Sequence, residues 1–199
     1  AVMRSAARLT YTQVGDFLGG DSAAIPAVAS KPVSELYKLY QALRRARELR
    51  GAIDFDTEET RIIFGEDRKI ESIVPVVRND AHKLIEECML CANVCAAHFL
   101  KGVNLPGLYR VHDGPKLEKL EKLRQYLGEL GLSLAGGDKP EPGHYQQLLE
   151  QVGERPDAHL IQTMMLRSMN QAVYQPENLG HFGLHYDAYA HFTSPIRRY

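Results

Sequence analysis

The chain has no tryptophan, only three cysteines in 199 residues and almost no net charge, with 24 Lys and Arg against 25 Asp and Glu. So even a balance excludes a surface that is basic throughout, and any site for a polyanion is a local cluster. Cys88, Cys91 and Cys95 crowd into one stretch, which does not make a disulfide framework, and a reducing cytoplasm suits them. No apolar run approaches the ~18 residues a membrane span needs, and Ala1-Val2-Met3-Arg4-Ser5 carries no apolar leader, so no membrane partner is expected. Internal repeats and low-complexity tracts are missing as well. What remains, 44% hydrophobic and 25% charged residues, is the composition of a globular protein of one large or two small domains.

Residues 2–12 alternate loosely and end in Leu9-Thr10-Tyr11-Thr12, which predicts a strand. Thr12 then caps a short helix through Val14, Phe17 and Leu18, stopped by Gly19-Gly20. After a loop at 21–31, a helix over 32–50 carries Val33, Leu36, Tyr37, Tyr40, Leu43 and Leu49 as its apolar stripe. Its other face bears Arg44, Arg45, Arg47 and Arg50, a solvated face or alternatively a nucleic-acid edge. Sheet segments follow at 51–55, 61–64 and 70–77, with Gly65 and Asp67 in a turn. Asn79 caps a second long helix over 80–101, with Gly102 as its stop.

A short strand at 108–112 precedes a third helix, opened by Pro115 and striped by Leu117, Leu120, Leu123, Leu127 and Leu130. A polar loop at 136–143, helices at 144–152 and 157–171, and a Pro-, Gly- and His-rich stretch at 174–189 complete the pattern. This order predicts an α+β fold, a mixed or antiparallel sheet with helices packed on it.

The chemistry concentrates in the last nine residues, His191-Phe192-Thr193-Ser194-Pro195-Ile196-Arg197-Arg198-Tyr199. Ser194 suits an N-cap and Pro195 the first helical position, and a helix N-terminus offers unpaired N–H groups to an anion. With Arg197 and Arg198 beside it, the anion is best read as a phosphate, the alternative being a capped helix with two solvated arginines. Cys88-x-x-Cys91-x-x-x-Cys95 looks like a metal motif but lies on one face of a helix. Cys88 and Cys95 are then separated by roughly 10 Å, too far to share a zinc, and the three read as core filler. Of the neighbours Glu86 and Glu87, at most one can share that apolar side, where it would be placed to accept a hydrogen bond from a substrate hydroxyl; otherwise both are solvated. His181, His185 and His191, with Asp187 between, suggest a metal, but Gly180 and Gly183 oppose the helix such a spacing needs. Structural or phosphate-facing histidines fit better. Tyr11 and Phe55 end or interrupt strands and are either core aromatics or platforms for bases, the latter worth ~1–3 kcal/mol per base.

His181-Phe182-Gly183-Leu184 together with Tyr189-Ala190-His191-Phe192-Thr193-Ser194-Pro195-Ile196-Arg197-Arg198-Tyr199 resembles the signature of the ribonuclease II superfamily (RNB) catalytic domain, nearest its bacterial ribonuclease R branch. Arg78-Asn79-Asp80-Ala81-His82-Lys83-Leu84-Ile85-Glu86-Glu87-Cys88-Met89-Leu90 and residues 160–169, 7–12 and 50–55 resemble it too. The resemblance implies a processive hydrolytic exoribonuclease that takes single-stranded RNA from its 3′ end into a channel and releases nucleoside 5′-monophosphates with magnesium. By this resemblance Arg197 is the catalytic arginine, Tyr11 lies near the cleaved nucleotide, Glu87 or Glu86 reads the ribose 2′-hydroxyl, and Phe55 clamps stacked bases. His191, Thr193, Ser194 and Arg198 are the remaining candidate substrate contacts. The family's metal-holding aspartates and flanking OB-fold domains have no counterpart here, so residues 1–199 are expected to be part of such a domain, inactive alone, monomeric and cytoplasmic. Rival readings are a non-catalytic RNA-binding module and a metal-dependent hydrolase built on the terminal histidines.

Overall fold

The computed structural model describes the chain except residues 1, 3, 56–59, 66, 77 and 195–199. In order come α1 (Tyr11–Leu18), α2 (Ala27–Arg50), β1 (Thr60–Phe64), β2 (Ile70–Pro75), α3 (Asp80–Gly102), β3 (Tyr109–Val111), α4 (Leu117–Glu129), α5 (Pro142–Val152), α6 (Ala158–Ser168) and β4 (Val173–Gln175). The described residues form two units, one of Ala1–Arg45 with Asp56–Cys88 and one of Ala46–Phe55 with Met89–Tyr199. The α+β class holds, but the strands make two separate two-stranded antiparallel ladders, β1–β2 and β3–β4, rather than one helix-covered sheet.

In the first unit the strand expected over 2–12 is absent among the described residues, because Thr10 rather than Thr12 starts the helix. Gln13 decides this. Its backbone N–H donates to Thr10 Oγ1 (3.2 Å) while its side chain accepts from the Thr10 N–H (2.9 Å). That reciprocal box satisfies two otherwise orphaned donors, which Thr12 has no partner to match. α1 and the preceding segment put Leu9, Val14, Phe17 and Leu18 onto buried Ile25, Ala29 and Val33. α2 begins earlier than its apolar stripe predicts, enclosing Pro32, and only Ala29, Val33 and Tyr40 of it are buried. Leu49, counted in that stripe, is 90% exposed. The hairpin closes through a turn in which the Gly65 N–H donates to Lys69 O (2.9 Å) and Lys69 pairs with Asp67 (3.0 Å).

The main core lies in the second unit. The predicted leucine stripe of α4 supplies Leu120, Leu123 and Leu127, which meet Tyr145, Leu148 and Val152 of α5 and Ile161 and Met165 of α6. One buried polar link ties α5 to α6: Tyr145 Oη lies 3.1 Å from Ser168 Oγ, which donates to Met165 O (2.6 Å). Residues 51–55 form no strand here. The Ile53 N–H donates instead to Gly183 O (3.0 Å), and Ile53 enters the main core with Phe55 packed against it.

The cysteines are not core filler either: Cys88 and Cys91 are half-buried and Cys95 is exposed. Burial, then the nearby Glu87 charge, pushes the Cys88 thiol pKa up. Among the described residues no helix is long and apolar enough to cross a membrane.

Leu127 is wholly buried at the centre of the α4–α5–α6 packing. Leu127→Ala is expected to lower unfolding stability by about 2–5 kcal/mol, read from denaturant midpoints.

Candidate functional site

The first unit gathers its candidates at the start of α3. Asn79 caps the helix, its Oδ1 accepting from the His82 N–H (3.2 Å), and its Nδ2 donates to the Tyr11 carbonyl (3.0 Å). A Cβ at Gly15 would overlap Asn79 Nδ2, so the bare glycine is what lets α1 approach this cap. The Tyr11 ring then stacks on His82 with centroids 4.1 Å apart and planes at 20°. Tyr11 is nonetheless 47% exposed, and it lines a largely apolar groove of about 760 Å³ with Leu9, Val14, Leu36, Leu84 and Ile85. Tyr37 donates to Asp80 Oδ2 (3.0 Å), which raises the phenol pKa and ties α2 to the same helix end.

The two adjacent glutamates separate sharply. Glu86 is exposed and paired with Arg78, whereas Glu87 is only 7% exposed. Adjacent helical positions diverge by ~100°, so at most one of the two could share the apolar side, and it is Glu87 that is buried.

In the second unit the terminal motif hangs on β3. The Arg110 N–H donates to Tyr189 O (2.8 Å), which lays the 188–190 segment beside the strand. Ala188, Tyr189 and Ala190 are buried there with Ala97 of α3. His191 is hydrogen-bonded through Nδ1 to the Tyr174 hydroxyl, and Arg110 lies 4.5 Å over the Tyr174 ring. The Thr193 N–H donates to Asn93 Oδ1 (2.9 Å), and the Ser194 N–H to His191 O (3.3 Å). Arg197, Arg198 and the helix expected to start after Ser194 lie outside the described residues. Phe55 is half-buried against the main core.

The remaining histidines are structural. His112 Nδ1 accepts from the Gly183 N–H (3.1 Å) while its Nε2 donates to Asn170 O (2.9 Å), which fixes one neutral tautomer. His181 Nδ1 accepts from the Leu184 N–H (3.2 Å), and burial followed by the neighbouring His112 lowers the His181 pKa to about 3. His185 bonds the Arg50 carbonyl, and Asp187 pairs with His98 (3.1 Å) and Lys101 (3.7 Å). Among the described residues no group of three or more His, Cys, Asp or Glu could hold a metal.

Two of the arginines of α2 are likewise engaged within the chain. Arg47 pairs with Asp54 (3.0 Å), and Arg50 donates to Leu184 O (3.1 Å) and lies 4.0 Å over the Tyr186 ring. Sequence reasoning missed Asn93 and His112. Asn93 does carry a signal, a lone amide in an otherwise apolar stretch of α3.

The first unit thus holds a capped helix with a buried glutamate, and the second a segment at 188–194 anchored on β3, within an α+β chain. The chain belongs to the RNB domain family, which matches residues 1–199. Within it the chain is similar to Ribonuclease R of Vibrio cholerae serotype O1, 56% identical over 206 residues covering 100% of this chain and 24% of that protein. It is also similar to Ribonuclease R of Escherichia coli strain K12, 55% identical over 201 residues covering 100% of this chain and 25% of that protein. The chain thus spans about a quarter of the length of these curated relatives. Mycoplasma genitalium RNase R, solved in complex with ribose methylated single-stranded RNA, has a TM-score of 0.88 at 29% identity, over 95% of this chain and 30% of that one.

His181 gains a proton more readily unfolded, near pH 6.5, than folded, near pH 3. Its contribution to stability is full above pH 6.5 and is lost as pH falls from there toward 3, because the unfolded chain binds the extra proton. Denaturant midpoints are expected to fall over this window, and His181→Gln is expected to flatten the dependence.

Proposed function

We propose that this chain is part of the catalytic domain of a 3′-to-5′ hydrolytic exoribonuclease that releases nucleoside 5′-monophosphates from single-stranded RNA. The observation that carries this reading is the match to Ribonuclease R over 100% of the chain, with the 189–199 signature intact. The M. genitalium complex with single-stranded RNA supports the substrate class.

Arg197 is the group that meets the scissile phosphate. Its guanidinium forks onto phosphate oxygens and favours the charge that grows there as water attacks. Glu87 reads the sugar. Burial keeps competing water away from its carboxylate, which then discriminates a ribose hydroxyl from a bare deoxyribose, the chemical difference between RNA and DNA. Glu86 is less suited to this, being exposed. Tyr11, held by the Asn79 cap and the His82 stack, offers its exposed edge to the terminal nucleotide. Phe55 contributes a stacking face, and His191, Thr193, Ser194 and Arg198 complete the substrate contacts. The magnesium that the resemblance implies for the full-length enzyme has no ligand set among the described residues. The parent enzyme is read as a cytoplasmic monomer.

In the full-length enzyme Arg197→Ala is expected to lower kcat roughly 10²–10³-fold, about 2.7–4 kcal/mol, with a smaller change in KM. Comparable turnover by the variant would remove the arginine from the mechanism. Glu87→Ala and Tyr11→Ala are each expected to narrow the preference for RNA over DNA 3′ ends; selectivity unchanged in both would end their assigned roles.

A further inference from the structure

Tyr11 opens α1, and both its carbonyl and its ring are held from one place, the start of α3. The carbonyl accepts from Asn79 Nδ2 (3.0 Å). The ring lies on the imidazole of His82, with centroids 4.1 Å apart and planes at 20°. Asn79 also sets that imidazole. Its Oδ1 accepts from the His82 backbone N–H (3.2 Å) and lies 2.7 Å from His82 Nδ1, while its own backbone N lies 3.3 Å from the same ring nitrogen. A protonated Nδ1 donates to the amide oxygen and a bare one accepts from the backbone N–H, so this edge of the ring is tied to the cap in either tautomer. One asparagine thus places the backbone of Tyr11 and the surface on which its ring rests.

The two contacts do different things. Tyr11 is exposed, and an open side chain ordinarily spreads over several staggered wells. A bond to the Tyr11 carbonyl fixes the main chain and leaves χ1 and χ2 free. The His82 face restrains them, since a stacked aromatic pair is favoured enough to weight one arrangement about 2- to 10-fold. His82 is the ring partner of Tyr11 among the described residues. A terminal nucleotide seated against a fixed ring presents its 2′ position in one place. A ribose then gains its hydroxyl contact, whereas a deoxyribose leaves the partner group unpaired. A ring spread over several orientations averages that difference away.

We propose that His82 is a positioning residue for sugar selectivity: its imidazole face holds the Tyr11 ring in the orientation that meets the terminal nucleotide. This rests on Tyr11 lying at that nucleotide, as proposed above. His82 acts through Tyr11 alone, and its flat ring, not its bond to Asn79, carries the effect.

The test uses the full-length enzyme on single-stranded RNA ending either in a ribonucleotide or in a single 2′-deoxynucleotide. The readout is the ratio of kcat/KM for the two ends, with the melting temperature followed for each variant. His82→Ala removes the ring and is expected to lower the ratio about 2- to 10-fold. His82→Phe loses the Nδ1 contact with Asn79 but keeps a flat face, so its ratio is expected to stay within about 1.5-fold of the parent. A purely structural role for the cap contact would instead lower the melting temperature of both variants and leave both ratios unmoved. In a Tyr11→Ala background, His82→Ala is expected to change the ratio by less than about 1.5-fold, because the ring it holds is already gone.

A parent-like ratio in His82→Ala overturns the proposal, as does a Phe variant that folds but is as unselective as the Ala variant. A full His82→Ala effect persisting in the Tyr11→Ala background overturns it too. If Tyr11→Ala alone leaves the ratio unchanged, it is the placement of Tyr11 that fails, and the role of His82 falls with it. If Tyr11→Ala lowers the ratio and His82→Ala does not, the role of His82 fails by itself. Should His82→Ala not fold, His82→Leu, which keeps bulk but has no flat ring, replaces it with the same expectations.

Discussion

Three residues of β3 carry more of this structure than their number suggests, because their backbone is used on both sides. On one edge Tyr109, Arg110 and Val111 pair with Gln175, Tyr174 and Val173 of β4. On the other, Arg110 N–H holds Tyr189 O, and His112 exchanges hydrogen bonds with Gly180 O (3.1 Å) and Phe182 N–H (2.7 Å). A strand with one open edge would leave those polar groups to water or to a partner chain. Here the edge is closed by the signature segments of the same chain, so the site is built onto the strand.

The histidines that look like metal ligands in sequence belong to this closure. His112 and His181 act as acceptors for backbone N–H groups of the 183–184 turn, a role only the neutral imidazole can fill. Burial lowers the pKa of both rings, and the neighbouring His112 lowers that of His181 further. A Cβ at Gly183 would come within 3.1 Å of His112 Nδ1, which explains a glycine in a turn that lies this close to a ring. The same turn presents Gly183 O to Ile53 N–H, and so fixes the backbone two residues before Phe55.

Much of the fold was legible because its causes are local. Leucines at helical spacing gave α4 its buried face, Asn79 and its sequel gave the start of α3, and Gly65 with Asp67 gave the β1–β2 turn. The errors have equally local physics. Thr10 outcompeted Thr12 because Gln13 could close a capping box with it. Residues 51–55 read as a strand, yet their backbone bonds a distant turn and a glutamine side chain instead of a ladder. The cysteines were assigned to the core by hydrophobic type, and only packing decides which helical face is covered.

The sequence by itself determined the family, through an 11-residue signature at 189–199, and it determined most helices, through periodicity and capping chemistry. Tertiary structure alone decided which adjacent glutamate is buried and which is exposed, since both have the same chemistry and only the surroundings of α3 differ. It also decided that Asn93 serves the terminal motif, through hydrogen bonds to residues 96 and 100 positions away. Propensity and spacing act over a turn or two of chain, whereas those two bonds exist only because packing on β3 brings α3 beside residues 189–193.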